Sequence, residues 1–84
     1  MADDIDGNMG FIMGNKQRER VIQILGSKGK MAADKVAKVE HIPAPMVTKI
    51  LAEMAEKNLV VENDGEWSLT ETGQEIEKEM KKRG

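Results

Sequence analysis

The side chains able to do chemistry in this 84-residue chain are few, and the most suggestive are cations. Lys28, Lys30, Lys35 and Lys38 crowd one short stretch, and Met46, Thr48 and Lys49 follow close behind. Closely spaced ammonium groups suit the neutralisation of a phosphate backbone. Threonine and lysine can hydrogen-bond base edges, and an apolar side chain such as Met46 or Ala44 can touch a thymine methyl. Catalysis has no comparable support. The chain has no cysteine, hence no thiolate nucleophile, no thiolate metal site and no disulfide. His41 is the sole histidine, and a lone imidazole tolerant of left-handed backbone reads as a turn residue rather than a ligand or base. Glu71, Glu75, Glu77 and Glu79 read as acids on a solvated helix, not a paired-carboxylate site. No nucleophile–base pair and no phosphate loop is present. The expectation is a protein that binds without catalysing, with neither cofactor nor metal.

Charge is unevenly spread. The net charge is −2. Residues 16–38 nevertheless hold seven basic groups against Glu19 and Asp34, a net of +5. Residues 40–79 hold ten acids against Lys49, Lys57 and Lys78, a net of −7. A polyanion would be drawn to the first half. The acidic N-terminus lacks the basic flank and apolar core of a signal peptide, and no apolar run approaches a membrane span. A cytoplasmic, single-domain protein is expected, away from membranes.

The elements that must position these groups follow from capping and periodicity. Residues 1–10 carry Asp, Gly and Asn with little periodicity and are expected to form a flexible tail, leaving 11–84 as the domain. Asn15 is placed to cap a helix from Lys16 to about Leu25, burying Val21, Ile22 and Leu25, with Gly26 and Gly29 ending it. Met31 falls in a brief extended segment. A second helix spans about Ala33–Val39, with Val36 and Val39 inward and Lys35 and Lys38 outward. It has no capping side chain at Ala32, so packing must hold it.

Glu40-His41-Ile42 form the turn, and Pro43 and Pro45 open a third helix running to about Lys57. Val47, Ile50, Leu51 and Met54 mark that helix's buried face at i, i+3, i+4 and i+7. Pro45, Lys49, Ala52 and Glu56 lie opposite, flanked by Met46, Thr48 and Glu53. Asn58 suits the left-handed residue that ends the helix. Leu59–Glu62 and Glu66–Leu69 read as strands joined through Asn63-Asp64-Gly65, with Trp67 and Leu69 facing the core. Thr70 caps a last, highly charged helix from about Glu71 to Lys82, whose apolar stripe is Ile76 and Met80.

Short helix, tight turn, longer helix and hairpin make an α+β, mostly helical layout. It is a winged helix-turn-helix with a three-helix core, a small β-hairpin wing and a C-terminal helix. Three segments carry a resemblance to prokaryotic winged-helix regulators of the ArsR-like and MarR-like kind. Ile12-Met13-Gly14-Asn15-Lys16-Gln17-Arg18-Glu19-Arg20-Val21-Ile22 is similar to the Leu-Gly-Asn-x-x-Arg-x-x-Ile-Leu opening of ArsR-like domains. Val47-x-x-Ile50-Leu51 through Glu56-Lys57-Asn58-Leu59-Val60 resembles a recognition helix and its exit, where the family usually has Glu-Lys-Gly-Leu-Val. Trp67-Ser68-Leu69-Thr70-Glu71-Thr72-Gly73 is similar to the Leu-Thr-x-x-Gly that closes the wing. The mixed Lys/Glu style also resembles archaeal proteins.

The chain departs from the pattern in three places. Glu40-His41 fill a turn that usually holds glycine, Ala44-Pro45-Met46 replace the usual polar start of the recognition helix, and the wing carries Glu62, Asp64 and Glu66 with no base.

The resemblance implies a transcription regulator gripping double-stranded DNA. Met46, Thr48 and Lys49 would face the major groove, and Lys28, Lys30, Lys35 and Lys38 the phosphates. Glu53 and Glu56 would then face incoming phosphates. Such proteins usually bind as dimers, and Phe11, Ile12, Met13, Ile76 and Met80 could supply a two-fold surface or close the chain's own core. The alternative is a winged helix serving as a protein–protein module of a larger nucleic-acid-processing or other assembly, favoured by the acidic wing and the apolar helix tip.

Overall fold

A computed structural model describes residues 5–83. Their element order is α1 (Ile5–Met13), α2 (Lys16–Lys28), β1 (Lys30–Ala32), α3 (Ala33–Glu40), α4 (Ala44–Glu56), β2 (Val60–Asn63), β3 (Glu66–Leu69) and α5 (Glu71–Arg83). The helix α1 takes in residues 5–10, which composition assigns to a tail; residues 1–4 lie outside the described residues. Burial explains the helix where periodicity does not. Met9 is 2% exposed and Ile12 fully buried, so tertiary packing holds a segment of poor intrinsic propensity.

Asn15 caps α2 as expected, its side-chain oxygen accepting from the N–H groups of Gln17 and Arg18 at 2.8 and 3.2 Å. The helix passes through Gly26 and ends at Gly29, where φ is +94° and the N–H donates to the Leu25 carbonyl. Gly26 is therefore not a stop. A Cβ there would lie 2.7 Å from the Glu77 side chain of α5, so glycine is what lets the two helices approach.

The helix-turn-helix follows the expected spacing. Ala32 gives α3 no side-chain cap, and His41 ends it in left-handed geometry at φ 57°, ψ 42°. Val36 is inward, but Val39 is 44% exposed, contrary to expectation. The apolar side chain delivered to the core at this end is Ile42, 4% exposed, after His41 reverses the chain. In α4 the buried residues are Val47, Ile50, Leu51 and Met54, as periodicity predicts. Asn58, at φ 60°, turns the chain out of α4 toward the sheet.

The sheet is antiparallel in the order β1-β3-β2. Its hairpin closes through Asp64 and Gly65, both at positive φ, the two-residue geometry that matches strand twist. The central strand is β3, with Trp67 opposite Met31 on one side and Glu62 on the other. Leu69 is buried, and Trp67 is half-buried and packed against the core. Thr70 begins α5. Its hydroxyl accepts from Gly73 N–H at 3.1 Å and donates to the Asn58 carbonyl at 2.6 Å, tying the helix start to the α4 exit.

Ile12, Ile76 and Met80 are 0%, 0% and 6% exposed, so they close the chain's own core and are no free two-fold surface. Of the five residues expected there, Met13 is exposed and Phe11 half-buried. The architecture is a winged helix-turn-helix, α+β and mostly helical.

Candidate nucleic-acid interface

The four-residue apolar stripe of α4 faces inward, which turns Ala44, Pro45, Met46, Thr48, Lys49, Ala52 and Glu56 to solvent. The first turn is unusual in its backbone. Pro45 has no N–H, and those of Met46 and Val47 both donate to the Pro43 carbonyl at 2.9 and 3.1 Å. Few free amides are left to cradle a phosphate at this helix start. The tip of α4 is an apolar surface, with Thr48 and Lys49 one turn behind it.

On α3 the exposed face holds Asp34, Lys35, Lys38 and Val39. Among the described residues Lys35, Lys38 and Lys49 belong to no ion pair, so no internal carboxylate must be displaced before an anion approaches. Lys28 and Lys30 are likewise exposed and unpaired, but they stand elsewhere. They flank the Gly29 cap, and Lys30 lines a groove of about 430 Å³ with Leu25, Ser68, Gln74, Glu77 and Lys78. The four lysines read as one cluster from sequence are thus two pairs: one on the outer face of α3, one at the α2–β1 corner beside α5.

The Glu53 carboxylate is half-buried and paired with Arg18 Nη2 at 3.2 Å, so it is turned toward α2. Arg18 Nη1 donates to the Phe11 carbonyl at 2.9 Å, and the guanidinium lies 4.0 Å above the Phe11 ring centroid. Lys57 Nζ is 4.9 Å from the same centroid. One aromatic ring between two cations therefore pins the second half of α4 against α1 and α2. No periodicity could have revealed this pairing, because its partners are 35 residues apart. The Asn-x-x-Arg spacing that carries the family resemblance was its one trace in the sequence.

The ribbon presents Val61, 42% exposed, among the exposed acids Glu62, Asp64 and Glu66. Part of that charge serves the turn itself, since the Glu62 carboxylate accepts Gly65 N–H at 2.7 Å. His41 serves its left-handed turn. On α5, Glu77 is buried and paired with Lys81 at 3.3 Å, and Glu79 pairs with Lys82 at 3.4 Å. Among the described residues no group of histidines and carboxylates is arranged to hold a metal, and no helix is long and apolar enough to cross a membrane.

No protein-family model matches the chain, and no curated protein matches it in sequence. Its backbone does match a solved structure, that of ligand-free NadR, with a TM-score of 0.79 at 23% identity over 94% of this chain. The match covers 61% of NadR, so the chain accounts for under two thirds of that protein's length. At that identity the likeness establishes the winged-helix fold.

Proposed function

We propose that the chain is a DNA-binding winged-helix transcription regulator that acts by occupying a duplex site. The observation carrying this reading is the pairing of α4's exposed first half with unpaired cations. Thr48 and Lys49 stand on one helix of the motif and Lys35 and Lys38 on the other, while Glu53, which flanks the outward face of α4, is held by Arg18. In this reading α4 enters the major groove by its tip, with Met46, Thr48 and Lys49 at the bases. Lys35 and Lys38 contact phosphates beside it, and Lys28 and Lys30 contact phosphates at the edge of the footprint.

The test is a titration of fluorescent mixed-sequence duplex at about 50 and about 200 mM salt. Four phosphate contacts predict a log–log salt slope of about −3.6. Lys35→Glu with Lys38→Glu should weaken binding by about a hundredfold while leaving the fold intact. Absence of binding at the lower salt would favour the second reading, a protein-binding module, which draws on Val61 exposed within an acidic ribbon. Apolar groups ringed by charge are an anchor-and-rim arrangement.

A further inference from the structure

The described residues expose four large apolar side chains, Met13, Val39, Met46 and Val61, and two of them bracket the turn of the helix-turn-helix. Val39 is 44% exposed in the last turn of α3, and Met46 is 38% exposed in the first turn of α4. Ala44 and Pro45 extend that surface, and Lys35, Lys38 and Lys49 rim it. Three unpaired lysines against the exposed Asp34 on the same face favour an anionic partner. What such a partner must offer follows from what α4 lacks. Its exposed first half contains no Arg, Asn or Gln, and Lys49, one turn behind the tip, is its single side chain of the kind that pairs with guanine. Pro45 has no N–H and the amides of Met46 and Val47 are engaged by Pro43, so the tip is a poor cradle for a phosphate as well. An apolar tip inside a cationic rim matches a polyanion whose groove displays methyl groups, and the major groove of A·T-rich duplex displays thymine methyls.

We infer that this protein selects its DNA through thymine methyl groups contacted by Met46, with Ala44 alongside, rather than by bidentate hydrogen bonds to purines. The inference rests on the DNA-binding reading above. Lys35 and Lys38 hold the backbone without regard to sequence, and Met46 supplies discrimination by losing water against a C5 methyl. The expected preference is for thymine-rich sites and is shallow, because each methyl contributes about a fourfold change in affinity.

The experiment compares A·T-rich duplexes identical except that deoxyuridine replaces thymine, which keeps base pairing and removes the methyl. A G·C-rich duplex is measured with and without 5-methylcytosine, which restores a methyl at the same groove position. The expected result is weaker binding to the deoxyuridine duplex by about fourfold for each methyl contacted, and tighter binding to the methylated G·C duplex. Met46→Ala should erase both differences by lowering affinity for the thymine duplex to that of the deoxyuridine duplex, and Met46→Leu should keep them. Circular dichroism checks that each variant is folded. Equal affinity of the unaltered protein for the thymine and deoxyuridine duplexes, with binding intact, overturns this inference and leaves DNA binding standing. Discrimination undiminished in Met46→Ala also overturns it. Failure to bind any of the duplexes overturns both the inference and the reading beneath it.

Discussion

Lys35, Lys38 and Lys49, on the outer faces of α3 and α4, belong to no ion pair, whereas every exposed charge on the β2–β3 ribbon is an acid. The two regions also differ in what their side chains do for the fold. On the ribbon, Trp67 packs on the core from the central strand, Glu62 closes its own turn, and the Leu59 carbonyl accepts Thr70 N–H at 3.0 Å. On the helix-turn-helix, among the described residues, Lys35, Lys38 and Lys49 make no ion pair with the chain that carries them. A surface whose charges have no internal partner is available for an external one; a surface already engaged is scaffold. On the DNA-binding reading proposed above, the ribbon is a structural brace and the helices are the binding face.

The largest expected effect tests the brace. A Cβ on Gly73 would sit 2.1 Å from the Leu59 carbonyl oxygen, which is backbone and held by Thr70, so neither side can yield cheaply. Gly73→Ala should cost about 3 kcal/mol or more in urea unfolding. A variant of nearly normal stability would mean that the ribbon root is not locked to α5, and the contrast would collapse. Next comes the binding face. Lys35→Glu with Lys38→Glu should weaken duplex binding by about a hundredfold at low salt, while the unfolding free energy changes by less than about 0.5 kcal/mol. A large stability loss here would show that these lysines serve the fold after all.

A third change probes the join between the regions. Arg18→Met removes the ion pair to Glu53, the hydrogen bond to the Phe11 carbonyl and the contact with its ring. The pair is partly exposed, so solvent screening limits its share, and the combined cost should be about 1–2 kcal/mol by thermal or chemical unfolding. The variant also frees the Glu53 carboxylate, so on the DNA-binding reading duplex affinity should fall, whereas Glu53→Gln, which removes a negative charge, should not lower it. Equal affinities in the two variants would show that Arg18 does not shield the face.

These same features mark where sequence reasoning succeeds. The hairpin is legible because Asp64-Gly65 is a local device: positive φ at two adjacent residues is encoded in their own side chains. The α4 stripe is legible because thirteen residues give periodicity room to speak. Val39 is misread because α3 has only eight residues, and a left-handed residue at its end sends Ile42 into the core instead. The helix α1 is hidden because Met9 and Ile12 hold it through tertiary contacts that its own glycines and asparagine do not advertise. Gly26 reads as a stop from its own neighbourhood, and only Glu77, on the far side of the sequence, explains it. The candidate site divides along the same line. Exposure of Met46, Thr48 and Lys49 follows from one helix's wheel, while the separation of Lys28 and Lys30 from Lys35 and Lys38 needs β1 and α5 in place.

The smallest expected effect decides how far the brace stands from the ligand. Glu62→Gln, Asp64→Asn and Glu66→Gln remove three charges while keeping a side-chain oxygen at position 62 for Gly65 and a residue tolerant of positive φ at position 64. If the ribbon tip lies within a Debye length of the phosphates, about 10 Å at 0.1 M salt, the acids repel DNA and their loss should raise affinity by roughly threefold. The gain should shrink as salt rises, since screening removes the same repulsion that the substitutions remove. On the DNA-binding reading the rise is the expected outcome. An affinity unchanged at every salt concentration would put the tip out of reach of the backbone. The duplex would then be held by α3 and α4 alone, and the acids of the ribbon, with Val61 among them, would face some other partner.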